Sequence, residues 1–259
     1  MIEFDETFLL ALEEQRKSAS ARAKQERYLQ LLTPSPGERV LDLGCGSGGF
    51  GRVVAPLVAP GGRVIGVDRA PEAVNLARRL SDGVETAGLA FEWADGHDLP
   101  FADASFDAAA CISVLSFCED PGRVLAELYR VLCPGGRLLV ANSDEDTRIY
   151  NGHDRDLGRR IMRAIADRGC NPWLGRRLAY LLRSAGFQLA EEVVLASVER
   201  HFAPGSSGYT LAYAIQDYLL NRGGVSAQDY ECWLADLRAC EWEGSYCYSV
   251  TTFAYLARR

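Results

Sequence analysis

Three aspartates occupy chemically suggestive places in this sequence. Asp42 stands two residues before a glycine run, and Asp68 and Asp95 each close a short apolar run. The glycines satisfy two patterns at once. Gly44, Gly46 and Gly49 fit G-x-G-x-x-G, and Gly44, Gly46 and Gly48 fit G-x-G-x-G. A lone glycine pattern is weak, because glycines also serve simple tight turns. This one follows an expected strand, opens an expected helix and precedes a strand ending in an acidic residue. In that setting the acidic residue accepts ribose hydroxyls of an adenosyl ligand. Asp42 at the loop mouth repels a pyrophosphate and attracts an ammonium or sulfonium. Asp95 offers an acceptor to an adenine amino group. The acidic rim therefore suits a monocationic sulfonium carrying an amino acid better than a doubly anionic dinucleotide.

Such residues converge only if strands and helices alternate. Residues 3–32 read as helical, with no Pro or Gly before "TPSPG" at 33–37. Strands are expected at 39–44, within 60–68, at 89–95, at 105–115 and within 133–143. Helices are expected from about Gly48 to Val58, over "APEAVNLARRL" and over "EDPGRVLAELYRVL". Alternation at this spacing predicts right-handed βαβ units and a parallel sheet, whose strands' carboxyl ends share one ligand-binding edge. Beyond Ser143 lie a polar stretch with an embedded helix, the helix "LGRRLAYLLRSAGF", a sixth strand at 187–202, two helices within 205–243 and a final strand.

Bulk properties narrow the function classes. The 259 residues carry a formal net charge of −7 and no basic run, which disfavours nucleic acid as a partner. The eight cysteines include no C-x-x-C pair and lie far from the three histidines in sequence, so no metal site is expected. They read as reduced core residues. No apolar run reaches the roughly 18 residues of a membrane span, and the acidic, amphipathic N-terminus is unlike a signal peptide. A cytoplasmic protein without membrane contact is expected, as monomer or homodimer.

Residues 38–142 resemble the class I S-adenosylmethionine-dependent methyltransferases, in the small-molecule group that includes the ubiquinone/menaquinone and sterol methyltransferases. The resemblance rests on "VLDLGCGSG", "VIGVDRA", "WADGHDLPFADASFD", "CISVLSFCEDPGRVLAELYRVLCPGGRLLV" and "LLRSAGF", in family order. It implies an α/β, Rossmann-like seven-stranded sheet of order 3214576, with the last strand antiparallel, helices on both faces and helical lid insertions. It implies a single structural domain: an N-terminal helical cap (1–32), a cofactor-binding core (33–142) and a C-terminal half (143–259). Segments at about 143–172 and 203–244 would cover the substrate.

By the same resemblance Gly44, Cys45 and Gly46 face the methionine part and ribose, with Asp42 near the amino group. Asp68 takes the ribose hydroxyls and Arg69 lies beside the adenine. Asp95 accepts from the adenine amino group, flanked by Gly96 and His97. Cys111 supplies backbone groups near the ammonium. Many relatives carry a His-His pair where this chain has Ser116 and Phe117, so chemistry that depends on that pair does not transfer.

Methyl transfer from a sulfonium is an in-line displacement that positioning and desolvation can largely drive. A base is needed only for an acceptor protonated at neutral pH. His153 is the candidate base, and Phe117, Tyr150, Tyr209 and Trp242 are candidate substrate-lining residues. The expected activity is methylation of an O, N or C atom of a metabolite, with secondary metabolism as one setting and S-adenosylhomocysteine as product. A cyclase-like enzyme that keeps the cofactor structurally is the alternative. A nicotinamide oxidoreductase is disfavoured by Asp42 and by the absence of any lysine beyond Lys24. A non-catalytic binding protein is a further, weaker option.

Overall fold

A computed structural model of the chain describes residues 6–83 and 88–259. Seven strands form one sheet: β1 (Arg39–Leu43), β2 (Arg63–Asp68), β3 (Leu89–Trp93), β4 (Phe106–Ile112), β5 (Leu132–Tyr150), β6 (Gln188–Glu199) and β7 (Tyr248–Arg258). Their order is β3-β2-β1-β4-β5-β7-β6, as the resemblance implied. β1 to β5 pair in parallel, whereas β7 is antiparallel to both β5 and β6.

The central strands lack polar/apolar alternation because helices cover both faces. Ala108, Ala109, Ala110 and Cys111 of β4 are all fully buried. One face packs on α5 (Pro121–Val131) and α7 (Leu174–Ser184), through Leu125, Leu128, Leu178 and Leu182. The other packs on α2 (Ala19–Leu32) and α3 (Gly49–Val58), through Leu31, Leu32, Val54 and Val58. α4 (Pro71–Ser81) follows β2. Local signals start these helices where chemistry needs them. Pro71 and Pro121 occupy first-turn positions, where the missing N–H costs nothing. The Asp120 carboxylate caps α5 by accepting from Arg123 N at 3.0 Å.

Three expectations need correction. The helix expected over 3–32 is two, α1 (Glu6–Gln15) and α2, and residues 3–5 lie outside the described residues. Ser18 separates the two by capping α2 with its hydroxyl, a local stop made without Pro or Gly. The fifth strand runs on to Tyr150 because β7 keeps pairing with it, through Ile149↔Ser249 and Tyr150↔Tyr248. The first part of the expected 143–172 cover is therefore sheet, and the embedded helix is α6 (Arg155–Ala166). Within 205–243 there are three helices, α8 (Ser207–Ala214), α9 (Gln216–Asn221) and α10 (Ala227–Trp242). With α6 they enclose a second core around Trp233, Tyr230 and Tyr246, beside the extended ends of β5 and β7.

Candidate active site

The glycine loop joins β1 to α3 and brings backbone, not side chain, to the sheet edge. Gly44 has φ +71°, and a Cβ there would overlap the Val114 side chain. Gly46 has φ +53°, and a Cβ there would meet no protein atom within 4 Å. Both line a cavity of about 210 Å³. Asp68, at the end of β2, holds the loop: its carboxylate accepts from Gly46 N and from Ala70 N, each at 3.0 Å. Those bonds leave lone pairs on the same carboxylate for a ligand's hydroxyls.

Asp95 follows β3 and also lines this cavity. Its Oδ1 accepts from His97 N at 2.9 Å and lies 2.7 Å from His97 Nδ1. The His97 amide, and then its ring, hold the Asp95 carboxyl below the usual range. Arg69, Gly96, His97 and Phe117 complete the expected part of the wall. The chain leaves β4 through Ser113, whose φ is +60°, and turns Val114 back against Gly44. Leu9 and Leu12 of α1 close the cavity from above.

Three expected cofactor residues do not reach this wall. Asp42 is 3% exposed and lies behind the loop. Burial pushes its carboxyl up to about 7, offset in part by the Arg16 guanidinium and the Gly51 amide. The Cys45 side chain packs away from the cavity against Val74, Ala77 and Phe91. Cys111 is fully buried in the sheet, and the cavity instead begins at Ile112, the strand's last residue.

A second cavity of about 180 Å³ shares Leu12, Ser113 and Phe117 with the first. Of the expected substrate residues only Phe117 lines either. Trp242 is 92% exposed, at the far end of α10. Tyr209 packs against Phe202 and Tyr213, with ring centroids 5.1 and 4.5 Å away. Tyr150 packs edge-on against Trp233 at 5.3 Å, and its hydroxyl donates to Gly208 O at 2.8 Å.

His153 lines neither cavity and lies on a separate recess beside α6 and α10. Its Nδ1 is 2.6 Å from Asp236 Oδ1 and its Nε2 2.9 Å from Glu243 Oε2. Those two carboxylates raise its pKa and occupy both ring nitrogens, away from either cavity. His153 also meets Asp236 and Cys240 within 4.8 Å, a juxtaposition of histidine and cysteine that sequence distance hid. His201 is an exposed partner of Glu241.

A family model described as a methyltransferase domain matches residues 41–140. A 2-phytyl-1,4-naphtoquinone methyltransferase of Synechococcus elongatus is 34% identical over 62% of this chain and 76% of its own length. The chain belongs to the class I S-adenosylmethionine-dependent methyltransferases. An uncharacterized 37.1 kDa protein in transposon TN4556 of Streptomyces fradiae is 39% identical over 70% of this chain and 52% of that protein. The [4+2]-cyclase SpnF shares the fold, with TM-score 0.62 and 23% identity over 92% of this chain and 80% of its own. The chain spans about half the length of the curated relatives it matches first.

The methyltransferase cavity fits the family's cofactor on its own features. Gly46 leaves room for close approach, the Asp68 carboxylate has lone pairs to spare, and Asp42 Oδ2 is a buried acceptor with no hydrogen-bond partner among the described residues. Leu9 and Leu12 were missed as wall residues. Their apolar spacing marks a helix face, but nothing in it says which neighbour that face meets.

Proposed function

We propose that this protein transfers a methyl group from S-adenosylmethionine to an oxygen, nitrogen or carbon atom of a small metabolite. The reading is carried by one observation: the cavity lined by Gly44, Gly46, Asp68 and Asp95 shares a wall with a second, more polar cavity through Leu12, Ser113 and Phe117. A donor in the first and an acceptor in the second would meet at that wall. When bound, the cofactor supplies a methyl group already activated on a sulfonium.

The protein's residues then bind, orient and exclude water. Asp68 receives the ribose hydroxyls, Asp95 the adenine amino group, and the loop at Gly44 and Gly46 the ribose and methionine part. Arg69, Gly96 and His97 flank the adenine. Asp42 acts from behind the loop, as a buried carboxyl that a bound ammonium would draw toward its ionised form. Leu9, Leu12 and Phe117 keep the transfer zone dry, which strengthens every polar contact in it. Cavities of about 210 and 180 Å³ are of a size for a small metabolite.

Calorimetry with S-adenosylhomocysteine tests the cofactor assignment. Asp68→Ala is expected to weaken binding tenfold or more, on the order of 1.4 kcal/mol. No binding by the unaltered protein overturns the reading. Incubation with S-adenosylmethionine and a metabolite extract should yield S-adenosylhomocysteine in step with a product 14 mass units heavier, about the mass of one added CH₂. Product formation with the cofactor intact would favour a cyclase-like reaction on this scaffold.

A further inference from the structure

The second cavity gathers three cations around a single lining carboxylate, Glu145. Lys24 of α2, Arg148 of β5 and Arg168, just after α6, all line it. Only Arg148 is fully paired: its guanidinium contacts both Glu145 carboxylate oxygens at 2.8 Å and donates to the Tyr248 hydroxyl. Arg168 Nε is buried with no hydrogen-bond partner among the described residues. The Arg168 guanidinium sits 5.9 Å from the Phe117 ring centroid, on the wall shared with the cofactor cavity. Lys24 forms no ion pair among the described residues, and Glu199 acts on it only through its charge. The Glu199 carboxylate is already occupied by Ser207 Oγ at 2.6 Å and Gly208 N at 3.1 Å.

Burial lowers the pKa of Lys24 and of Arg168; Glu145 offsets part of this at Arg168 and Glu199 part of it at Lys24, while the Arg148 charge presses both further down. Three cations against one carboxylate leave this cavity with an excess positive charge that a bound anion would offset. The cavity also presents hydroxyls that can donate. Ser116 Oγ accepts from Asn142 Nδ2 at 3.0 Å, which leaves its hydrogen to donate, and Ser197 Oγ is buried with no hydrogen-bond partner among the described residues. This cationic interior stands out in a chain whose formal net charge is −7.

We propose that the methyl acceptor is a small molecule bearing a carboxylate or phosphate, held by Lys24, Arg148 and Arg168 with its other end directed past Phe117 and Ser113. This rests on the methyl-transfer reading for the word acceptor, but the oxyanion site stands on the geometry alone. Arg168 and Lys24 are the selective elements, since Arg148 already has a carboxylate.

Calorimetry on the full chain with benzoate, phenyl phosphate and inorganic phosphate tests the site. S-adenosylhomocysteine is titrated in parallel. At least one oxyanion is expected to bind, and Arg168→Gln and Lys24→Gln are each expected to weaken it tenfold or more. Arg168→Lys should recover most of the loss. S-adenosylhomocysteine affinity should change less than twofold in all three variants, which also shows that they are folded. Preference between benzoate and phenyl phosphate assigns the anion as carboxylate or phosphate. Binding of no oxyanion, or binding unaffected in both Gln variants, overturns the proposal. Oxyanion binding lost in the variants of a protein that ignores S-adenosylhomocysteine upholds the anion site and removes the methyl-transfer reading.

Discussion

Burial holds the Asp42 carboxyl near 7, against an ordinary value of 3.8. The folded state therefore keeps a proton that the unfolded chain has lost, and stability falls as pH rises from about 4 through 7. Asp42→Asn removes that cost. Its melting temperature should exceed the wild type's by a few degrees at pH 8, taking about 2–4 °C per kcal/mol for a chain of this size. The difference should shrink toward zero by pH 4. The same change should weaken S-adenosylhomocysteine binding, though less than Asp68→Ala, because Asp42 does not touch the cavity. A variant no more stable at pH 8 would contradict this account. Tyr150 makes a simpler case. Tyr150→Phe leaves the Gly208 carbonyl without its donor and should destabilise by roughly 1 kcal/mol, with cofactor affinity unchanged. A loss of affinity in chemical titrations would return Tyr150 to the binding wall.

At the scale of elements, His153 acts as a latch between the start of α6 and the end of α10, through Asp236 and Glu243. Its pKa is raised above 6.5 in the folded state. The stabilisation is thus complete below the unfolded value and is lost as pH rises through the folded one. His153→Gln should lower the melting temperature at pH 6, with the gap closing by pH 9. A gap independent of pH would mean that the ring packs without bearing charge. The same elements show why sequence reading of the substrate side was poor. Tyr209 and Trp242 lie on helices whose apolar and polar faces are weakly separated, so their direction depends on which neighbour the helix meets. Phe117 lines both cavities because the short turn after β4 ties it to the sheet edge.

Across the whole molecule, α1 ties distant parts together over the cofactor cavity. Leu9 packs on Ala73 and Leu76 of α4, Glu13 accepts from Ser47 Oγ at 2.5 Å and pairs with Arg52, and Gln15 Nε2 donates to Ser207 Oγ at 2.8 Å. A ligand in the cavity adds contacts to Leu9 and Leu12, so binding should hold the helix down. Tryptic cleavage at Arg16 and Lys17 is expected to slow several-fold with saturating S-adenosylhomocysteine. An unchanged rate would show that the cofactor does not engage this helix.

Local chemistry determined the core of this protein: strand, glycine loop and helix in repetition, with carboxylates at the ends of β2 and β3. Backbone sterics and hydrophobic periodicity act over a few residues, and right-handed crossovers then place those strand ends side by side. The full sheet order and the roles expected of residues from Gly44 to His97 were implied by the family resemblance of residues 38–142. Tertiary structure alone decided the rest. Whether Asp42 faces a ligand or the interior, whether Cys111 lies inside the sheet or at its end, and where β5 stops all depend on pairing with segments far along the chain. The meeting of Lys24, Arg148 and Arg168 has the same origin. Three cations on a helix, a strand and a loop become one site only when α2, β5 and the segment after α6 close around the same space.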